Sequence, residues 1–286
     1  VRAGTLAPGS HTFTYHDAPL NKDLPVHYYL PEGVSPATAP VLFVMHGTLR
    51  NGAEYRDQWK GQADRYKFLL IVPEFPKKDF PGAMYNRGNV LDQDDKGPAR
   101  PEAEWSFSAI ERLFDHLRRE CGVGAQRYSI YGHSAGGQFV HRLALFLPNA
   151  RYERAVAANS GYYTLPTVGA DADPFPFSLR GTPQEAGKTR PAIFSRDLTV
   201  LLGEADTDPN DPDLYHSPEA DKQGMYRLAR GRFFYETAQA EAKKAGVPLR
   251  WRLVTVPGVG HSNEKMADAA AAVLFGKDRK DKEKAQ

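Results

Sequence analysis

The sequence has almost no cysteine. Cys121 stands alone among 286 residues, which excludes an intrachain disulfide and any cysteine-built zinc site. It also lacks a long apolar run. No uninterrupted stretch approaches the ~18 residues that a membrane-spanning helix needs, so neither a membrane span nor a membrane partner is expected. An excess of charge of one sign is missing too. Lysine and arginine total 37 against 35 acidic residues, and the last ten residues, KDRKDKEKAQ, carry five bases and three acids, which is the whole surplus. The other 276 residues balance at 32 against 32. Without a basic excess, nucleic acid is not the expected partner.

What is present is an ordinary globular composition, 41% hydrophobic and 25% charged, too apolar for a disordered chain. The length allows one large or two small domains. Short apolar runs read as buried strands: Val41-Leu42-Phe43-Val44-Met45, Phe68-Leu69-Leu70-Ile71-Val72, Tyr128-Ser129-Ile130-Tyr131, Ala155 to Ala158, Leu198 to Leu202 and Trp251 to Val256. Two β-like stretches precede them, at His11–Tyr15 and Val26–Leu30. Between the runs the spacing is helical. Ile110, Leu113, Phe114 and Leu117 share one face, Phe139 to Leu147 repeats the pattern, and Met225 to Ala245 is the longest amphipathic stretch. Continuous apolar strands alternating with amphipathic helices predict an α/β fold, a mostly parallel sheet covered on both faces.

The expected organisation is one domain over residues 1–276 with a charged, solvated tail at 277–286. A proline-rich segment, Tyr162 to Arg196, breaks the rhythm and reads equally as a cap-like insertion over a site or as a surface excursion packed on its own aromatics. The first residue is Val1, which fits a removed export signal and also a trimmed terminus. A lone cysteine fits an oxidising compartment, and the expectation is a secreted or periplasmic protein.

The strongest motif is Gly132-His133-Ser134-Ala135-Gly136, between the strand run at 128–131 and the helical stretch at 137–147. That is the context of a nucleophile elbow, a sharp turn that exposes a serine at the carboxyl edge of a sheet. Serine alone is a poor nucleophile and needs a base and an orienting acid. In this architecture they follow in the order serine, acid, histidine. Asp206, behind Leu201-Leu202-Gly203, is the expected acid, preferred over Glu204, Asp208 and Asp211. His261 is the expected base, since none of the other eight histidines lies in a glycine-rich loop after a final strand. The oxyanion hole needs two backbone N–H donors. Ala135 should supply one and Thr48, in His46-Gly47-Thr48 after the first buried strand, the other. His46 stands in the wrong order to be the base and is expected to buttress that loop.

The stretch Val41 to Pro73, together with GHSAGG at 132–137 and Gly260-His261, resembles the α/β-hydrolase fold. More narrowly it is similar to the secreted poly(3-hydroxybutyrate) depolymerase and feruloyl-esterase-like branch, over about residues 25–275. The resemblance implies a Ser-His-Asp serine hydrolase acting on carboxylic esters, often polymeric, without a cofactor. Members of that branch commonly carry a cysteine after the His-Gly pair and a tryptophan-rich loop downstream. This chain has Thr48 and Tyr85-Asn86-Arg87-Gly88 instead. Arg50 and Arg87 near the pocket would suit a substrate bearing carboxylates, as would the majority of arginine over lysine, 22 to 15. These departures fit a poly(aspartic acid) hydrolase, which cuts an anionic polyamide. The plainer reading is that both arginines pair with surface carboxylates.

The expected substrate contacts are therefore Arg50, Tyr85, Arg87, Tyr162 and Tyr163. The expected partner is a polymeric or small ester or amide, anionic in the second reading, and a homodimer is left open. The acidic runs at Asp92–Asp95 and Asp206–Asp211 lack the glycine and terminal glutamate of calcium loops, so no metal is expected. Trp59, Trp105 and Trp251 read as core. The reading from another class is a non-catalytic binding module on the same fold.

Overall fold

The computed structural model describes residues 6–186 and 190–276. The charged tail expected at 277–286, residue Val1, and residues 187–189 of the expected cap lie outside the described residues. The chain opens with an antiparallel pair, β1 (Gly9–Asp17) and β2 (Lys22–Leu30), and continues as β3 (Val41–Met45), α1 (Gly52–Tyr66) and β4 (Leu69–Pro73). Then come α2 (Ser106–Glu120), β5 (Tyr128–His133), α3 (Ala135–Phe146), β6 (Tyr152–Ala158), the short α4 (Arg190–Phe194) and β7 (Leu198–Gly203). The short α5 (Pro218–Lys222), α6 (Arg227–Lys244), β8 (Arg252–Val256) and α7 (Asn263–Phe275) complete it. One eight-stranded sheet runs β1-β2-β4-β3-β5-β6-β7-β8. Its strands from β3 to β8 pair in parallel, and β2 joins β4 antiparallel.

Side chains alternate across each strand, so a strand buried on both faces favours a near-continuous apolar run. β3 shows this directly. Phe43 and Met45 enter the core under α2 and α3, while Leu42 and Val44 enter a second core with Tyr55 and Trp59 of α1 and Met266 and Ala270 of α7. The helical face expected on α2 is the buried one: Ile110, Leu113, Phe114 and Leu117 are all fully covered. Trp59, Trp105 and Trp251 lie in these cores. The N-terminal strands extend beyond their most apolar cores. They are held by Asp17, fully buried, which accepts two hydrogen bonds from the Arg112 guanidinium of α2 at 2.8 and 2.9 Å. Apolar patterning alone carries no sign of such a charged anchor.

The described residues of 162–196 pack inward on the domain and also border a cavity. Tyr163, Thr164 and Leu179 are fully buried, and Phe175 packs edge-on against Phe146 of α3 at 5.7 Å. Tyr162, Phe175 and Phe177 face a cavity beside Ser134's loop neighbours.

The turn between β5 and α3 sets the position of everything described below. Ser134 sits there with φ 58 and ψ −118, a left-handed conformation that an L-residue holds only when its surroundings impose it. Packing imposes it here. The first turn of α3 lies so close to the end of β3 that a Cβ on Gly136 would stand 2.0 Å from the Met45 carbonyl oxygen. No side chain fits that gap. Gly136→Ala should therefore push α3 off the sheet and destabilise the protein by about 3 kcal/mol or more, read as a lowered urea midpoint with Ser134 no longer presented.

Candidate active site

Ser134 and His261 line one cavity of about 280 Å³ with Gly47, Thr48, Leu49 and His133. The parallel strands bring these residues together, since β3, β5 and β7 all end at the same edge of the sheet and the loops after β5, β7 and β8 meet there. The loop after β7 is tied to the loop after β8 by backbone bonds from Glu204 to Val256 and from Ala205 to Val259. That pairing sets Asp206 beneath His261, with Oδ2 2.8 Å from Nδ1. Asp206 is only 4% exposed. Its other oxygen, Oδ1, faces the buried Arg227 guanidinium at 3.3 Å, and the same nitrogen binds Asp211 at 2.8 Å. A buried carboxylate needs such a partner to stay ionised. The three rival acids are engaged elsewhere: Glu204 accepts from Thr255, Asp208 caps Asn210, and Asp211 pairs with Arg227.

Thr48 lines this cavity, and Ala135 opens α3 directly after the serine. The N–H groups of a helix's first turn have no partner within the helix, so the Ala135 amide is available to a ligand. The loop carrying Thr48 is gripped from behind. His46, fully buried, donates through Nδ1 to the Gly47 carbonyl at 3.1 Å and accepts the Phe75 N–H at Nε2 at 3.0 Å. Burial, reinforced by the Arg50 cation, lowers its pKa to about 3, which keeps the ring neutral. The Tyr85 hydroxyl donates to the His46 carbonyl at 2.7 Å.

The expected substrate contacts divide. Arg87 and Tyr162 line a second cavity of about 410 Å³, which adjoins the first through Thr48 and Asp213. Arg50, Tyr85 and Tyr163 line neither. Arg50 stacks on the Tyr85 ring at 4.1 Å and donates to the Phe75 carbonyl at 3.1 Å, behind the wall rather than in the pocket. Tyr85 and Tyr163 are fully buried, Tyr163 stacked on Phe234 at 4.6 Å. Arg87 itself is bound by Asp94 at 2.6 Å and by Asp95. Pairing with carboxylates, the plainer reading of the two arginines, describes Arg87 but not Arg50, whose partners are a ring and a backbone carbonyl. Taken together the two cavities present five carboxylates, Glu54, Asp94, Asp95, Asp213 and Glu264, against the cations Arg87 and Lys96.

Sequence reasoning missed Asp213, Asn86, Gln138 and Asn159. Asn86 lies in the Tyr85–Gly88 loop and Gln138 adjoins GHSAGG, both singled out in the sequence, but neither residue is assigned a role there, while Asp213 and Asn159 have no motif around them. No group of three or more His, Cys, Asp or Glu side chains is disposed to hold a metal among the described residues. Within the acidic run at Asp92–Asp95, Asp92 binds Arg100 while Asp94 and Asp95 bind Arg87.

Three histidines around this edge are buried. His46, His133 and His141 are each held below the ordinary imidazole range, chiefly by burial. In the unfolded chain they take up protons near pH 6.5. The unfolded state therefore binds more protons below that pH. Stability should be full above it and fall as the pH drops, by up to about 1.4 kcal/mol per pH unit for each histidine. Urea midpoints measured from neutral pH downward should show that slope. His141→Gln, which keeps a donor for the Gly137 carbonyl and an acceptor for the Thr164 N–H, should flatten it by one proton's share.

No protein-family model matches the chain, and neither does any curated protein sequence; solved structures do. The chain is 41% identical to poly(aspartic acid) hydrolase-1 from Sphingomonas sp. KT-1, with a TM-score of 0.87 over 95% of this chain and 100% of that one. It is 35% identical to a poly(3-hydroxybutyrate) depolymerase from Bordetella parapertussis, again with a TM-score of 0.87, over 94% of this chain and 91% of that one. An S-formylglutathione hydrolase from Agrobacterium tumefaciens, 17% identical with a TM-score of 0.61 over 94% of this chain and 95% of that one, shares the fold. With the sheet order, the serine turn and these likenesses in view, the chain belongs to the α/β-hydrolase family and is a serine hydrolase.

Proposed function

We propose that Ser134, His261 and Asp206 form the catalytic triad of a depolymerase or esterase acting on a neutral carboxylic ester, polymeric or oligomeric. The observation that carries this reading is the 2.8 Å contact between His261 Nδ1 and the buried Asp206 carboxylate, in the loop facing a serine held at φ 58. His261 Nε2 takes the serine proton as Oγ attacks the ester carbonyl, and Asp206 holds the tautomer and stabilises the imidazolium while remaining ionised. The Thr48 and Ala135 N–H groups receive the developing oxyanion. The leaving alcohol departs with the proton from His261, and water then cleaves the acyl-serine by the same route. Eight strands in one sheet support a single domain over the described chain. A polymer too large to enter a cell fits a secreted or periplasmic location.

The second reading, hydrolysis of poly(aspartic acid), is favoured by the 41% identity to an enzyme of that name. It is also favoured by Arg142, a fully buried guanidinium behind Tyr162 that donates to Thr164, Asn86 and Gln138 and, among the described residues, to no carboxylate. Against it stand the five carboxylates facing two cations along the cleft. A chain bearing one negative charge per unit would be repelled there, and like charges facing one another oppose binding. The neutral ester is the better supported substrate.

Product release should be measured from poly(3-hydroxybutyrate) oligomers and from poly(aspartate) side by side, with Ser134→Ala as control. Ester cleavage should dominate, and Ser134→Ala should lose turnover by about four orders of magnitude or more. Faster cleavage of the polyaspartate would overturn the substrate while leaving the triad standing. A native protein that a fluorophosphonate leaves unlabelled at Ser134 would instead be a binding module.

A further inference from the structure

Between the triad and the hydrophobic core lies a buried polar chain that the reaction as written does not use. Asn159 follows β6, is 1% exposed and holds φ 45. Its carbonyl oxygen accepts the Gly203 N–H at 2.8 Å, at the start of the Asp206 loop. Its amide nitrogen faces two acceptors at 3.3 Å, the Gly260 carbonyl next to His261 and Nε2 of His133. His133 precedes the nucleophile and is 3% exposed, with its ring centroid 4.5 Å from that of His261. Since Nε2 accepts from Asn159, Nδ1 carries the hydrogen, and it points at the Tyr55 hydroxyl 3.4 Å away. Tyr55, on α1, abuts the oxyanion loop so closely that a Cβ on Gly47 would stand 2.8 Å from its hydroxyl.

We propose that Tyr55, His133 and Asn159 are positioning residues. They form one hydrogen-bonded chain that fixes the oxyanion loop, the nucleophile turn, the Asp206 loop and the His261 loop relative to one another. The chemistry of each link supports this. Asparagine tolerates a left-handed backbone and offers both a donor and an acceptor, so one side chain can tie three loop segments. Burial keeps His133 neutral, and a neutral ring can lie against His261 without opposing the positive charge that His261 gains in the reaction. The chain's ends contact backbone, at Gly47, Gly203 and Gly260, so it sets where the loops lie, while Tyr55 and His133 also border the cavity that holds Ser134 and His261. The proposal rests on the triad reading above.

The test compares Tyr55→Phe, Asn159→Gly and their double variant with the native protein. Asn159→Gly keeps the backbone at φ 45 without strain and removes all three side-chain contacts. Turnover of a p-nitrophenyl ester and the rate of fluorophosphonate labelling at Ser134 are read with a melting temperature for each. Misplacing reacting groups by a fraction of an ångström lowers kcat, so each single variant should lose about tenfold to a hundredfold with KM changed less than about twofold. Labelling should slow by the same factor. The double variant should lose less than the product of the two, because both break one chain. His133→Gln, which retains a donor and an acceptor, should keep more activity than His133→Ala. Variants that melt earlier yet turn over and label at the native rate would make the chain structural only and overturn the proposal. A native protein that takes no label at Ser134 would overturn the triad reading itself, and the proposal with it.

Discussion

Everything at the site depends on one constraint, the left-handed backbone at Ser134. A residue at φ 58 between a strand and a helix reverses the chain within a single step, so the side chain is left at the apex. That turn costs free energy, and the sheet supplies the offset. Apolar strands on both sides of β5, and an α3 seated against the Met45 carbonyl, leave the turn no other course. The same sheet makes separate loops meet at its edge. Ser134, Asp206 and His261 are distant in sequence and meet in space because parallel strands all end on one side.

How much of this could be read from the amino acids follows from how local each signal is. The elbow was legible because glycines at fixed offsets from a serine, between an apolar run and an amphipathic one, report a local steric need. Strands β3, β4 and β7 were legible because burial on both faces favours near-continuous apolar runs, whereas β8, at the sheet edge, is only partly covered. β4 begins at Leu69 and ends on Pro73, one residue later than the apolar run suggests, since parallel pairing with β3 sets its register. The long amphipathic stretch starts at Arg227 rather than Met225, because the Arg227 side chain is drawn inward to Asp206 and Asp211. Asp206 could be preferred over its neighbours by spacing, but the contact that distinguishes it comes from a loop 55 residues away.

The charged and aromatic residues of the pocket were the hardest to read. Arg50 and Arg87 look alike in sequence, each just past a loop that borders the site. One is stacked on Tyr85 behind the wall, and the other is held by two aspartates in the cavity. Which happens depends on Phe75, which no motif marks, and on Asp95, whose acidic run gives no sign of which guanidinium it binds. Charge is read by counting what a guanidinium already binds, and a sequence carries no such count. Asn159 was silent for a similar reason. Its three partners come from the ends of different strands, and only the strand order makes them neighbours.

The oxyanion loop has a consequence for how such a protein changes over evolutionary time. His46, Tyr85 and Arg50 hold it through backbone atoms of residues 46, 47 and 75. Nothing in that grip involves the side chains of Thr48 or Leu49, and Leu49 stands 81% exposed at the cavity mouth. The backbone that is gripped and the side chains that face the cavity are thus separate parts of one loop. In the proposed reaction, the side chains of residues 48 and 49 could change with the substrate while the backbone that would carry the Thr48 donor stays in place.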